Sequence, residues 1–304
     1  MADPFAALEA RFGEALLRDE PLVRYTVARL GGPADALVTA HSCQDLAEAV
    51  GLAHEAGLPW LVLGGGANVL IADRGVRGLV IVNHARGMAF EDDGRVWAES
   101  GASLSTVARK ASNRGLGGFE WAANVPGSVG GAVVGNAGAH GGEIARQLIY
   151  VDLLDSEACC AALRWTPDDM RYSYRASALK GQRGRFVLLA AEFQLEPGHD
   201  PKALNERIAE LAVRRKRTQP PGSSLGSMFK NPPGEHAGRL IEAAGLKGTT
   251  IGGVQISPLH GNFFVNLGGG TAADYRALIE LAQERVAATS GIALELEIEL
   301  VGDW

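Results

Sequence analysis

Three cysteines in 304 residues, Cys43, Cys159 and Cys160, are an odd count with no metal-ligand spacing. They exclude a disulfide framework and read as small buried hydrophobes; adjacent Cys159 and Cys160 fall in an expected strand, with side chains on opposite faces. The seven histidines show no His-x-x-x-His pairing, so no metal site is expected. No run of about 18 apolar residues exists, and nothing is expected to span a membrane. The opening MADPFAALEARFGEALLRDE has acidic residues at helical spacing where a signal peptide has a charged region and an apolar one. A cytoplasmic protein is therefore expected. Excess positive charge is absent too: the net charge of −6 gives no basic field to attract nucleic acid or an anionic membrane. Internal repeats and low-complexity tracts are missing.

What the chain has instead is glycine. It holds 40 glycines, about twice the usual share of roughly 7%, and many fall in two clusters. Asn124 to Glu143 reads NVPGSVGGAVVGNAGAHGGE. A flexible linker would be polar and Ser-rich, whereas these glycines alternate with Val125, Val129, Val133 and Val134, which favour burial. Glycine lets backbone amides line a concavity and lets a ligand approach the peptide plane, so the stretch reads as a ligand cradle. The second cluster, Pro59 to Asp73, reads PWLVLGGGANVLIAD. It lacks both the G-x-G-x-x-G opening a helix and a following Gly-Lys-Ser/Thr, so neither a dinucleotide fingerprint nor a Walker loop applies. The expectation is strand, tight turn, strand, with turn amides facing a pyrophosphate.

Periodicity places the remaining elements. Helices are expected at Phe5 to Leu17, Gln44 to Ala56, Leu104 to Asn113, Pro201 to Arg215, His236 to Ala244 and Ala272 to Ala288. Strands are expected at Asp35 to Thr39, Gly78 to Val82, Ile149 to Leu154, Cys159 to Trp165, Phe186 to Leu195, Gly253 to Ser257, Phe263 to Val265 and Leu294 to Val301. A hairpin is expected around Asp93-Gly94. Gln219 to Ser224, QPPGSS, is the clearest boundary. The class is α+β.

In order, GGGANVLIAD, GFEWAANVPGSVGGAVVGNAGAHGGE, SYRAS, GSMFKNP, AGLKGTTIGG and LELEIELVG closely resemble the UDP-N-acetylenolpyruvoylglucosamine reductase family over nearly the whole chain from Thr26. The resemblance implies a vanillyl-alcohol-oxidase-type FAD-binding fold of two lobes, 1–84 (with the tail 298–304 as a candidate to rejoin it) and 85–213, plus a substrate-binding domain, 214–297. It implies non-covalent FAD, NADPH as reductant, a UDP-sugar substrate, a monomer, and no nucleic-acid or membrane partner. Ala67 stands where the family commonly has Ser, and Gly135 and His140 where it often has Met and Tyr. No Tyr lies between Ser177 and Arg214, as in a compact subgroup without a substrate-covering Tyr loop.

The implied cofactor contacts are Gly64, Gly65, Gly66, Ala67, Asn68, Val69, Gly127, Ser128, Gly130, Gly131, Asn136, Ala137, Gly138 and Ala139. The implied catalytic residues are Arg175, Ser227 and Glu297. By spacing alone Arg175 reads as a surface arginine stacked on a tyrosine, and Ser227 as a cap or turn serine. The family pattern makes Arg175 the stabiliser of charge on an enolised carboxylate and Ser227 the proton donor, with Lys230 a candidate to polarise it. Glu295, Glu297 and Glu299 share one face of the expected strand, and the pattern singles out Glu297. Tyr174, Lys230 and Asn231 would contact substrate, and Arg214 or Arg217 would clamp its diphosphate or simply end a helix. Two other readings stay open: another FAD oxidase or dehydrogenase of this fold, and a non-catalytic flavin-binding module.

Overall fold

Leu79-Val80-Ile81-Val82 is apolar on both faces and buried on both, as a central strand must be. It belongs to Val76–Asn83, which pairs in parallel with Trp60–Leu63. Pro33–Ala40 flanks its other side and Leu17–Pro21 forms the edge of this four-stranded sheet. A five-stranded sheet runs in the order Ala161–Trp165, Leu148–Asp155, Phe186–Gln194, Arg95–Glu99, Met88–Phe90, and each adjacent pair is antiparallel.

This computed structural model describes residues 3–158 and 161–304. Cys159 and Cys160 lie outside them, so the expectation for that pair does too. The chain divides into two units. The first takes the chain up to Glu20, Asp35–Gly65 and Gly78–Ala212; the second takes Pro21–Ala34, Gly66–Arg77 and Val213–Trp304.

In the first unit, Ser42 caps Cys43–Glu55 by accepting from Asp45 N at 3.0 Å. Leu46, Ala49, Val50 and Ala53 make its buried stripe. Ser103 caps Leu104–Ser112 in the same way, and Leu104, Val107, Ala108 and Ala111 are buried. Cys43 is half-buried, its thiol donates to Leu189 O at 3.2 Å, and burial pushes its pKa up to about 12. It stays a protonated, inert thiol.

The second unit builds its core from Phe229, Phe264 and Tyr275 with Leu240, Ile241, Leu278 and Ile298. A three-stranded sheet, Thr250–Ile251, Val254–Ile256 and Phe264–Asn266, lies here. The long helix Ala272–Ser290 starts at a Thr271–Asp274 capping box and stops at Gly291, whose φ is +71°. Asp73 also accepts from Ala272 N and Ala273 N, at 2.8 and 2.9 Å.

Three elements differ from expectation. The first helix spans only Ala6–Phe12, because Gly13 turns to φ +52° and Leu17 already opens a strand. The helix expected to stop at Arg215 continues as Pro201–Thr218, so the basic run lies within its last turns. The C-terminal strand is only Glu299–Val301. Leu296 makes an isolated bridge to Phe229 and the backbone bends at Glu297 and Ile298, so the three glutamates do not share one regular strand face.

Candidate active site

The glycine cluster between Pro59 and Asp73 is not a hairpin turn. Trp60–Leu63 pairs with Val76–Asn83, while Val69–Ile71 pairs in parallel with Glu299–Val301. The loop between them therefore joins two different sheets. A Cβ on Gly64 would stand 2.3 Å from Ser128 Oγ, and one on Gly65 would stand 2.9 Å from Gly127 Cα. The two glycine clusters thus touch each other, about 60 residues apart in sequence, and glycine is required by that contact. Gly66 has φ +58°, and its Cβ would lie 2.1 Å from Tyr25 O. The amides of Gly65, Gly66, Ala67 and Asn68 donate to no group of the described residues. Four consecutive unpaired amides in a bend fit an anionic group such as a pyrophosphate. Val69 begins the strand that follows.

The cluster from Asn124 to Glu143 is folded, not loose. Ser128 caps the short helix Val129–Val134, accepting from Gly131 N at 3.3 Å, so its hydroxyl serves the chain itself. Gly130 N donates to Ser100 O at 2.8 Å, and a Cβ there would sit 3.0 Å from Ser100 Cβ. Beyond Gly135, the segments Gly138–Ala139 and Gly142–Glu143 pair as a hairpin. His140 and Gly141 at its tip have φ of +52° and +87°, as a two-residue turn of the type I′ kind demands. Gly142 lies against the Trp121 ring; a Cβ would meet Trp121 Cδ1 at 2.1 Å. Asn136, at φ +43° and 2% exposed, precedes the hairpin.

The structure brings Arg175 onto this hairpin. Its guanidinium donates to Asn136 O at 3.3 Å and to Gly138 O at 2.5 Å. It also lies 5.3 Å from the ring centroid of Tyr174, which is 50% exposed. The stacked arginine read from spacing and the anchored one are thus the same side chain. Ser177 Oγ donates to Val134 O at 2.7 Å, a second tie between the two loops. The nearby Tyr172 hydroxyl is buried without a hydrogen-bond partner among the described residues, and burial raises its pKa.

In the second unit the segment carrying Ser227 runs beside the one carrying Glu297. Glu297 N donates to Met228 O at 2.9 Å and Lys230 N to Glu295 O at 2.8 Å. Ser227 is half-buried, and its hydroxyl bonds to none of the described residues. It caps no helix. Asn68 Nδ2 donates to Glu297 O at 3.1 Å. Lys230, expected to polarise Ser227, instead pairs its ammonium with the exposed Glu295 carboxylate. Asn231 Oδ1 accepts from Ala237 N at 3.1 Å, so it helps start the helix Ala237–Ala243. Arg214 and Arg217 are exposed, whereas Arg215 between them is partly buried, and burial lowers its pKa.

Asn262 is the residue that sequence reasoning missed. It is 3% exposed, and its Oδ1 accepts from Phe229 N at 2.9 Å while Nδ2 donates to Phe229 O at 2.8 Å. Its own carbonyl accepts from Met228 N at 2.8 Å. Together these bonds hold the backbone next to Ser227. Asn262→Ala leaves both polar groups of Phe229 unsatisfied, and each such group costs about 1–3 kcal/mol. The denaturant midpoint is expected to fall with m unchanged; a loss below about 0.5 kcal/mol would show that the clamp contributes nothing.

Residues 218–301 match a family described as "UDP-N-acetylenolpyruvoylglucosamine reductase, C-terminal domain", and residues 34–158 match "FAD binding domain". A UDP-N-acetylenolpyruvoylglucosamine reductase of Rubrobacter xylanophilus is 48% identical over 287 residues, covering 94% of this chain and 95% of its own length. One from Synechococcus sp. (strain WH7803) is 47% identical, covering 93% and 92%. The crystal structure of the reductase of that name from Thermus caldophilus superposes with a TM-score of 0.78 at 34% identity, covering 94% of this chain and 98% of its own.

Proposed function

The chain belongs to the UDP-N-acetylenolpyruvoylglucosamine reductase family, and from that premise we propose that it reduces UDP-N-acetylglucosamine enolpyruvate to UDP-N-acetylmuramate in peptidoglycan precursor synthesis. The amides of Gly65 to Asn68, which donate to none of the described residues, would hold the FAD pyrophosphate, with the ring beside the backbone of Asn136 to Ala139. FAD held there would supply the hydride chemistry that links NADPH to the alkene. The protein acts in the cytoplasm as a monomer.

The chain's own residues handle the charge and the proton. As hydride reaches the outer carbon, negative charge develops on the enolised carboxylate. Arg175 offers that charge a planar, permanently cationic donor. Ser227 gives a proton to the inner carbon, and the carboxyl of Glu297 faces the enolpyruvyl group. Tyr174, Lys230, Asn231 and Arg214 or Arg217 bind the rest of the UDP-sugar. The observation that carries this assignment is the Ser227 hydroxyl, half-buried and bonded to none of the described residues, on a segment hydrogen-bonded to that of Glu297. A hydroxyl already committed to a cap would have spoken for a turn serine.

The test is anaerobic. The flavoprotein is reduced with NADPH and then mixed with UDP-N-acetylglucosamine enolpyruvate. Return of the oxidised flavin absorbance is expected. A flavin that NADPH never reduces marks a non-catalytic module, and one that reduces but is re-oxidised only by another acceptor marks a different enzyme.

A further inference from the structure

A primary amide has two N–H groups and one carbonyl oxygen to give, and Asn136 has committed all of them within the first unit. Its Nδ2 donates to Ser173 O at 3.1 Å and to Glu143 Oε2 at 3.3 Å, and its Oδ1 accepts from Ala145 N at 3.1 Å. Glu143 is held from its other oxygen by Arg146, 3.8 Å away. With the side chain 2% exposed and both donors taken, little of it is left for a cofactor ring. The backbone carbonyl of the same residue receives Arg175 Nη1, and that of Gly138 receives Nη2.

The two loops are therefore laced in both directions. The side chain of Asn136 grips the backbone at Ser173, and the side chain of Arg175 grips the backbone at Asn136 and Gly138. Both residues sit at positive φ, +43° and +55°, which a side chain other than glycine adopts only when its surroundings enforce it. We propose that Asn136 is a positioning residue for Arg175: its amide fixes the glycine hairpin to the Tyr172–Ser177 loop, so that the hairpin carbonyls set where the guanidinium points. The inference rests on the assignment of Arg175 to the substrate carboxylate and moves Asn136 from cofactor contact to alignment of that charge.

Asn136→Gly is the cleanest variant, because glycine keeps the positive φ and loses only the amide. FAD titration of the apoprotein and NADPH reduction of the flavin are expected to match wild type. Re-oxidation by the enolpyruvyl substrate is expected to slow by about 10- to 100-fold, as a small misplacement of a catalytic group does. On an Arg175→Ala background the same change is expected to add nothing, since residues acting as one unit are non-additive. Loss of FAD binding, equal slowing of both half-reactions, or a full extra loss on that background would overturn the inference. Wild-type re-oxidation in Arg175→Ala alone would remove Arg175 from the chemistry and the inference with it. If Asn136→Gly is isolated unfolded, Asn136→Asp keeps the size and the acceptor for Ala145, removes the amide donors, and faces the same criteria.

Discussion

Ser227→Ala is expected to accept hydride from NADPH at the wild-type rate and to return it to the enolpyruvyl substrate 10²–10⁴-fold more slowly, the usual range for a missing general acid, or about 3–5 kcal/mol of barrier. The split follows from where the proton is needed. On the proposed assignment flavin reduction requires no proton from this serine, whereas protonation of the inner carbon relies on it. The change removes one oxygen from a hydroxyl that bonds to none of the described residues, so little stability is at stake. Glu297→Gln, which keeps size and loses the ionisable group, is expected to show the same split. Stopped-flow absorbance of the flavin, one half-reaction at a time, reads both variants. Equal slowing of the two half-reactions would make Ser227 structural, and an unaffected Glu297→Gln would remove the carboxylate from the chemistry.

Gly65→Val is expected to yield a protein that binds no FAD. The reason is sharper than lost room for a phosphate. The first added carbon would stand 2.9 Å from Gly127 Cα and 3.3 Å from Gly127 C. Neither is the end of a flexible side chain, so the two glycine segments must move apart. The row of unpaired amides beginning at Gly65 would then lose its shape. Gly181→Ala is the control: φ there is +87°, but nothing lies within 4 Å, so only the left-handed strain of about 1–2 kcal/mol applies. It is expected to retain full flavin content. Bound FAD after gel filtration, with circular dichroism to show that the apoprotein is folded, decides the matter. Stoichiometric FAD in folded Gly65→Val would mean the cradle lies elsewhere.

Much of this was legible in the residues. Trp60–Leu63, Val69–Ile71 and Arg95–Glu99 fall where short apolar or alternating runs place them. Leu104–Ser112 follows from its stripe and serine cap. The two glycine clusters were visible as candidate ligand loops, but their contact with each other was not. What stayed hidden depends on partners remote in sequence. Leu294 to Leu300 alternates apolar and acidic, yet the backbone bends at Glu297 because the segment beside Phe229 and the strand beside Val69–Ile71 make competing demands on it. Asn136 and Asn262 bind backbone amides and carbonyls, which every residue possesses, so no spacing announces them. Gly13 could be read as a helix residue or a stop, and the strand starting at Leu17 decided it.

The parallel pairing of Val69–Ile71 with Glu299–Val301 also bears on the order in which the ribosome delivers the chain. Asn68 and its acceptor at Glu297 are 229 residues apart. The far side of the glycine loop is thus translated early but finds its ladder only once Glu299–Val301 has been made. Closing so long a loop comes late on entropic grounds as well. A nascent chain therefore carries the glycine loop without the strand that holds its far side until Glu299–Val301 emerges, and a flavin site built on that loop could not be complete before then.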